Sequence, residues 1–272
     1  MRNIVKGIGL HYLVFSIVGF LFYDLAFVDC ASAAIKKGIA IGKNAIQASE
    51  KISKLRVGWY YTWGSQSILG VKASFVPMVW GRKSGIDFYS CSLLLFNEPD
   101  SDTQSSIDVS EAVEKSVSFR KMAKTIGSPA TVNSLNSWMS EYIAAAERRS
   151  IKIDFIAIHW YGGPSPAQFL KKVDATYARY RRPIWITEFA VADWAAKSGK
   201  ARYTPADVER FMRKVLPELE RRAFVQRYAW MGADSYSSAT APSRLFDDNG
   251  FLTPLGRIYR SFNSRAAPGD RC

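Results

Sequence analysis

Two segments of the sequence each run from an apolar stretch into a single glutamate. Residues 93–96 are all large and apolar, and Glu98 and Pro99 follow them closely. Residues 183–189 are rich in β-branched and aromatic side chains and carry Glu188 near their end. A continuous apolar run bounded by turn residues is typical of a parallel strand covered on both faces, and a proline ends the ladder because it lacks an N–H group. The sequence therefore predicts two buried strands, each with a carboxyl group at its end.

The rest of the chain alternates strand-like and helix-like segments. Further strands are predicted at residues 56–64, 74–81, 128–133, 154–164, 226–232 and 245–250. Helices are predicted at residues 106–125, 135–150, 168–180, from 204 to a kink or break at Pro217, and 253–262. Such alternation indicates an α/β protein with a parallel sheet, and the length favours a single (β/α)₈ TIM-type barrel. Residues 64–74 and 81–92 are too few for crossover helices, so we expect a barrel trimmed of some helices on its early side.

The first 33 residues have the three parts of a secretory signal peptide. Arg2 and Lys6 form a basic start, residues 8–28 are mostly apolar, and residues 31–33 (Ala-Ser-Ala) offer a cleavage site. Asp24 interrupts this apolar stretch and Asp29 follows it directly. An uncleaved membrane anchor is therefore the alternative, since about 20 apolar residues suffice to span a bilayer. We expect a secreted or periplasmic protein that meets a membrane only if this segment is retained.

The predicted elements divide the chain into four parts. Residues 1–33 are the signal peptide, 34–54 a lead-in segment of helical character, 55–263 the barrel, and 264–272 a tail that we expect to be frayed. Removal of the signal leaves 272 − 33 = 239 residues, which is close to the roughly 250 of one barrel. We expect one domain and a monomer.

Charge and cysteine content narrow the classes of partner and of cofactor. The formal net charge is +13, but the basic residues are scattered and form no nucleic-acid-binding motif, so we expect no nucleic acid partner. After signal removal His159 is the only histidine, and no Cys/His pattern supports a metal site. Cys91 and Cys272 then remain, either as one disulfide or as two unpaired thiols.

The two glutamates suit the chemistry of glycoside hydrolysis. Functional groups of a barrel lie at the carboxyl ends of its strands, where both Glu98 and Glu188 are expected. Cleavage of a glycosidic bond needs one carboxyl that protonates the leaving oxygen and one carboxylate that attacks the sugar or activates water. A separation of about 5–5.5 Å gives retention and about 6.5–9.5 Å gives inversion of configuration. The alternative for either glutamate is a buried salt bridge or a helix cap.

Aromatic residues gather near the same strand ends. They are Trp63, Trp80, Trp160, Tyr161 and Trp230. Flat rings stack on the apolar faces of sugars while their N–H or O–H groups reach polar partners. A tryptophan-rich core is the alternative for each ring, but their position at one end of the barrel favours substrate binding.

Three polar residues complete the candidate site. Asn97 precedes Glu98 and can bind a sugar hydroxyl, or else serve as a turn amide. His159 can orient a carboxylate or bind a hydroxyl, or else be a hydrogen-bonded core histidine, and Tyr161 lies two residues on, on the same strand face. Asn133, at another strand end, is a weaker candidate of the same type.

Taken together, these motifs resemble a known family. The motifs lie at residues 57–64, 75–78, 97–100 (Asn-Glu-Pro-Asp), 159–161 (His-Trp-Tyr), 185–189 (Trp-Ile-Thr-Glu-Phe) and 252–256. In this order they are similar to the Asl1-like glycosyl hydrolase catalytic domain, glycoside hydrolase family 128. The resemblance covers about residues 55–262.

The resemblance implies an endo-acting β-1,3-glucanase that works with retention on a trimmed barrel and needs no cofactor. Glu98 matches the acid/base and Glu188 the nucleophile, and the partner is a β-glucan polysaccharide or oligosaccharide. The wider clan carries these groups on the fourth and seventh strands, whereas the predicted strands place them on the third and sixth, so we expect one further early strand. The family also contains exo-acting and oligosaccharide-binding members. An exo-acting β-glucanase and a non-catalytic β-glucan-binding barrel are therefore the alternatives.

Overall fold

A computed structural model of the chain describes residues 35–232 and 237–266. Within these residues the strands are β1 (Lys37–Ala40), β2 (Trp59–Tyr61), β3 (Ser74–Phe75), β4 (Met78–Val79), β5 (Ser90–Asn97), β6 (Ala123–Ala130), β7 (Ile156–Gly162), β8 (Ile184–Val191) and β9 (Val225–Met231). The helices are α1 (Ala48–Leu55), α2 (Val109–Arg120), α3 (Ser137–Arg148), α4 (Pro166–Tyr180), α5 (Pro205–Arg221) and α6 (Pro254–Ser261), with short 3₁₀ helices at Trp194–Ser198 and Ala241–Ser243.

The strands fill eight positions of a parallel barrel. One sheet has the order β3-β2-β1-β9-β8-β7 and the other the order β4-β5-β6. β3 and β4 are separated only by residues 76–77 and pair with β2 and β5, respectively, so together they occupy one position. At the other seam Gly127 and Phe155 form a parallel bridge, and the Ser128 N–H donates to the Phe155 carbonyl at 2.9 Å. The circuit of strands is that of a (β/α)₈ barrel, which confirms the predicted fold class.

The early side of the barrel is trimmed, as the short intervals in the sequence predict. Helix α1 follows β1, but between β2 and β5 the chain forms no helix. The later positions carry full crossover helices, from α2 to α5. Thr204 begins α5 with a capping box that it shares with Asp207.

The prediction of a helical lead-in at residues 34–54 is wrong for its first part, which contains the strand β1. Only the later part of this range, in α1, is helical. β1 lies between β2 and β9, with Gly38 opposite Trp59 and Ala229. It is the additional early strand that the family resemblance implies. With β1 counted, Glu98 follows the fourth barrel position and Glu188 lies on the seventh.

Two buried lysines explain why β1 does not look like a strand in the sequence. Lys36 and Lys37 are only 2% and 1% exposed. The Lys36 ammonium donates to the carbonyl of Arg222 at 3.1 Å, beyond the end of α5. The Lys37 ammonium donates to the carbonyls of Tyr259 and Phe262 at 2.9 and 2.8 Å, at the end of α6. Helix ends leave carbonyls unpaired. Each lysine donates to such carbonyls at the end of one helix and so holds that helix against the barrel.

Three other predicted elements differ from the structure. The strand predicted at residues 128–133 is β6, which begins at Ala123 directly after α2. Residues 245–250 form no strand, and only an isolated bridge joins Phe246 to Leu252. Pro217 lies inside α5 and does not end it. An interior proline costs about 3 kcal/mol, and the helix withstands it because its buried face includes Val208, Phe211, Met212, Val215, Leu216 and Leu219.

Residues 264–266 are attached to the barrel, so the predicted fraying of the tail does not begin at Ser264. The Ser264 hydroxyl accepts the Lys37 N–H at 3.1 Å. The Arg265 N–H donates to the Glu220 carboxylate at 3.1 Å, and Ala266 forms an antiparallel bridge with Ile35. Residues 267–272 of the predicted tail lie outside the described residues.

Cys91 forms a disulfide, which rules out two unpaired thiols. Cys30 and Cys272 lie outside the described residues, so the pairing with Cys272 stays a prediction. The predicted signal or anchor at residues 1–33 also lies outside them. Among the helices of residues 35–232 and 237–266, none is long and apolar enough to cross a membrane.

Candidate active site

A large cleft opens at the carboxyl ends of the strands. Its volume of about 1130 Å³ exceeds the roughly 300–1,000 Å³ of typical small-molecule pockets. Every barrel position contributes to it. The lining residues are Gly42, Lys43, Asn44, Ala45, Thr62, Trp63, Trp80, Asn97, Glu98, Gln104, Val132, His159, Tyr161, Glu188, Trp194, Met231, Ser237 and Thr240. Both predicted glutamates therefore face one cavity, with room for several sugar rings.

Glu188 is held in the floor of the cleft by three donors. The hydroxyl of Tyr61 and the indole N–H of Trp63 donate to its Oε1 at 2.8 and 2.6 Å, and the hydroxyl of Tyr161 donates to its Oε2 at 2.5 Å. Glu188 is 5% exposed. An ionised carboxylate only accepts hydrogen bonds, so the ionised form fits these three donors.

Glu98 stands just beyond β5 in an uncommon backbone conformation. Its φ is 41°, and that of Trp63 is 58°, so both residues lie in the left-handed region that favours glycine. The Glu98 N–H donates to the Ala130 carbonyl at 2.8 Å, which ties the turn to the end of β6. Strain of this kind persists only where the surrounding structure enforces it, and it is concentrated at functional sites. Here it directs the Glu98 side chain into the cleft.

His159 lies between the two carboxyl groups. Its Nδ1 is 3.0 Å from Oε1 of Glu98, and its Nε2 is 3.4 Å from Oε1 of Glu188, too poorly aligned for a hydrogen bond. A register shift after Ile158 sets His159 directly beside Glu188 on the neighbouring strand. One imidazole ring thus spans the distance between the two acids.

Burial and charge act in opposite directions on His159. Burial lowers its pKa, but the charge of Glu188, the hydrogen bond and charge of Glu98, and the charge of Asp100 together raise the pKa above the ordinary value. The imidazolium form is therefore favoured between the two carboxyls. For Tyr61, burial and the charge of Glu188 both raise the pKa, so its hydroxyl remains a donor.

Asn97 also faces the cleft, and its amide is oriented by a neighbour. Its Nδ2 donates to Oε1 of Gln104 at 3.0 Å, whereas its Oδ1 is buried and has no partner among the described residues. A buried acceptor without a partner carries a free-energy cost of about 1–3 kcal/mol. A hydroxyl group of a bound ligand can relieve it.

The structure separates the predicted aromatic residues into two groups. Trp63, Trp80 and Tyr161 line the cleft. Trp160 points to the other face of β7, since side chains alternate along a strand, and its ring packs 5.6 Å from that of Phe169. The expectation of a substrate-binding Trp160 is therefore wrong.

Trp230 and Asn133 do not line the cleft either. Trp230 is fully buried, donates through Nε1 to the Ser243 carbonyl at 2.9 Å, and packs edge-on against Phe189, so it belongs to the core. The Oδ1 of Asn133 accepts from the Lys172 ammonium and from a backbone N–H at the start of the next turn. Its side chain therefore has a structural role.

Several residues that line or support the site were not predicted from the sequence. Tyr61 could have been found, because the alternation of β2 sets it on the same face as Trp59 and Trp63. Gln104, Val132 and Trp194 lie on loops, and no periodicity marks them. The loop at residues 42–45 follows β1, and it was not predicted because β1 was not predicted.

Comparison with known proteins agrees with the fold and the cleft. The sequence profile of the family described as "Glycosyl hydrolase catalytic core" matches residues 38–259. Alkali-sensitive linkage protein 1 of Schizosaccharomyces pombe is 29% identical over an alignment of 250 residues that covers 85% of this chain and 45% of that protein. The chain thus spans less than half of the length of this curated relative.

Two solved structures extend the comparison. A family 128 (subgroup I) endo-β-1,3-glucanase of Amycolatopsis mediterranei, a glutamate-to-alanine variant in complex with laminaripentaose, is 29% identical with a TM-score of 0.71, covering 84% of this chain and 100% of that one. A subgroup II endo-β-1,3-glucanase of Sorangium cellulosum is 25% identical with a TM-score of 0.68, covering 85% and 100%. The family profile covers most of the barrel and the solved structures of family 128 match nearly their whole length, so the chain belongs to the glycosyl hydrolase catalytic core family, as a member of glycoside hydrolase family 128.

Proposed function

We propose that the protein cleaves β-1,3-glucan by a retaining mechanism, with Glu188 as nucleophile and Glu98 as acid/base. One observation carries the proposal: the two carboxyl groups face one cleft and lie against the two ring nitrogens of His159. Two carboxyls across one cleft are the functional set that glycoside hydrolysis requires.

The different surroundings of the two glutamates support the assignment of their roles. Glu188 accepts three hydrogen bonds, which suits a carboxylate that stays ionised until it attacks. Within residues 35–232 and 237–266, the Glu98 carboxyl has one side-chain partner, His159, and the Glu98 side chain is 16% exposed. The hydrogen bond between His159 Nδ1 and Glu98 Oε1, at 3.0 Å, keeps a proton donor beside the carboxyl that protonates the leaving oxygen.

In the first step Glu188 attacks the anomeric carbon of a bound glucosyl unit. The bond to the glycosidic oxygen breaks, and Glu98 gives that oxygen its proton, so the distal part of the glucan leaves as an alcohol. The sugar remains covalently attached to Glu188. Tyr61 and Tyr161 then donate to the ester oxygens and keep the group in place.

In the second step water replaces the leaving group. The Glu98 carboxylate removes a proton from the water, whose oxygen attacks the anomeric carbon from the face that the leaving group vacated. The bond to Glu188 breaks, and both glutamates return to their initial states. Two inversions give net retention.

Substrate class and mode of attack are inferred from the relatives and from the cleft. The Amycolatopsis and Sorangium relatives are described as endo-β-1,3-glucanases. Trp63 and Trp80 supply aromatic surface in the cleft, and its volume suits internal binding of a glucan chain. An exo-acting glucanase would release one small product from the start, and a barrel that only binds glucan would release none.

The test uses laminarin and two variants, Glu98→Ala and Glu188→Ala. Each is expected to lower the release of reducing ends by at least about 10³-fold, since either loss removes an essential group, while circular dichroism shows a folded protein. With an aryl β-laminarioside whose phenolate leaves without a proton, azide should restore turnover in both variants, giving a glycosyl azide of inverted configuration with Glu188→Ala and of retained configuration with Glu98→Ala. Full activity in either variant would refute the assignment.

Product analysis distinguishes the modes of attack. We expect mixed oligosaccharides early in the reaction and a β-anomer as the first product in NMR spectra. We also propose action outside the cytoplasm as a monomer after loss of residues 1–33. Sequencing of the mature N-terminus and light scattering test these two points.

A further inference from the structure

Trp194 is a half-exposed ring on the rim of the cleft, and the reaction as derived above makes no use of it. It is 50% exposed, and of the large apolar side chains that the described residues expose, only Trp194 and Val132 border the cleft. Exposed aromatic surface beside a binding cleft is a common sign of ligand contact.

Trp194 lies in residues 193–203, a segment whose two ends are joined by hydrogen bonds to Asp193. The carboxylate of Asp193, which is 1% exposed, accepts the backbone N–H groups of Arg202 and Tyr203 and, at 2.9 Å, the guanidinium Nε of Arg202. The Asp193 N–H donates to the Ala239 carbonyl at 2.7 Å. Both ends of residues 193–203 are thus held together, which reduces the ordering cost of binding.

The ring of Trp194 is itself oriented by two contacts. Its Nε1 donates at 3.2 Å to the backbone carbonyl of Tyr161, the same residue whose hydroxyl donates to Glu188. The Lys197 ammonium lies 4.9 Å from the ring centroid, over one face. Lys197 does not line the cleft. The ring therefore borders the cleft with surface that the ammonium leaves uncovered.

We propose that Trp194 forms an outer subsite that stacks on one glucosyl unit of a β-1,3-glucan, on the Glu188 side of the cleft. This inference rests on the proposed function. The apolar face of a pyranose matches a fixed indole ring, and the polar Ser237 and Thr240 also line the cleft and can bind hydroxyl groups. Because Trp194 is at the rim, only a chain long enough to extend beyond the central site reaches it.

The experiment measures how binding depends on chain length. Laminaritriose to laminarihexaose are titrated calorimetrically into a Glu98→Gln parent, and into the same parent with Trp194→Ala, Trp194→Tyr or Phe251→Ala. Phe251 is the matched control, since it is 65% exposed and does not line the cleft. Thermal unfolding of each variant confirms folding.

Trp194→Ala is expected to weaken binding of the longest oligosaccharide about tenfold, as loss of one aromatic stack implies, and to leave the shortest almost unaffected. Trp194→Tyr should retain most of the affinity, and Phe251→Ala all of it. Without any mutation, laminarihexaose should protect Trp194 from oxidation by N-bromosuccinimide, located by mass spectrometry, and laminaritriose should not.

Two other outcomes overturn the inference in different ways. Equal losses at every chain length, or no protection by laminarihexaose, would reject the outer subsite while leaving the proposed function intact. A parent that binds none of the four oligosaccharides would overturn the inference and the proposed substrate class together.

Discussion

Replacing Tyr61 by phenylalanine tests whether the hydrogen bonds to Glu188 contribute to catalysis. Tyr61 is fully buried, and its hydroxyl is 2.8 Å from Oε1 of Glu188. Phenylalanine keeps the ring and its packing and removes only the hydroxyl. Any change in catalysis then arises from the lost donor.

The structure sets the size of the effect. A hydrogen bond to a charged group contributes about 1.5–3 kcal/mol, and Glu188 keeps Trp63 on Oε1 and Tyr161 on Oε2. We therefore expect the lower limit, about 1.5 kcal/mol, which corresponds to roughly tenfold in rate. The attacking carboxylate loses one of its three donors, so kcat/KM for laminarin should fall by about this factor.

The assay is kcat/KM for laminarin, measured for the parent and for each variant at one pH. Tyr60→Phe is the matched control, because Tyr60 is the preceding residue on β2 and is also buried, but its hydroxyl contacts the backbone of Ile68 at 2.9 Å, outside the cleft. Tyr61→Phe should lose about tenfold in kcat/KM, while Tyr60→Phe keeps the parental value. If the two variants gave the same kcat/KM, the reasoning about Glu188 would be refuted.

Three further predictions concern the fold around the site. Burial lowers the pKa of His159, but Glu188 and Glu98 raise it above the ordinary value in the folded state. The contribution of His159 to stability is therefore complete below about pH 6.5 and is lost as the pH rises through the folded-state pKa. The melting temperature should fall over that pH range in the parent but not in His159→Gln, and parallel curves for the two proteins would contradict this. Gly38→Ala places a Cβ 2.3 Å from the ring of Trp59 and should lower the free energy of unfolding by about 1–3 kcal/mol in urea titrations, whereas an unchanged midpoint would argue against the position of β1. Peptide mapping without reduction should recover Cys91 linked to Cys272, and a link to the third cysteine would exclude that pairing.

The sequence predicted the barrel and the two acids because both depend on local patterns. Apolar runs that end in Glu98 and Glu188 are visible without any tertiary information, and in a parallel barrel all strand ends meet at one face. Glu98 and Glu188 can therefore be predicted to meet in one site although they lie far apart along the chain.

The misplaced residues depended on tertiary contacts. β1 was missed because Lys36 and Lys37 look solvated in a sequence, and only the packed helix ends show that their charges have partners. Trp160 and Trp230 were predicted to bind substrate because they lie near strand ends. The direction of a side chain, however, depends on the register of its strand. Trp194 lies on a loop whose position is set by Asp193, a contact that no periodicity reveals.

The backbone at Glu98 has a consequence for attempts to make this protein more heat-resistant. A residue with a Cβ pays about 1–2 kcal/mol in the left-handed region, and glycine does not. Glu98→Gly and Glu98→Ala both lack the acid, yet the glycine variant should melt at the higher temperature. A screen that rewards thermal tolerance alone would therefore favour glycine at this position and lose activity, so selection must include turnover.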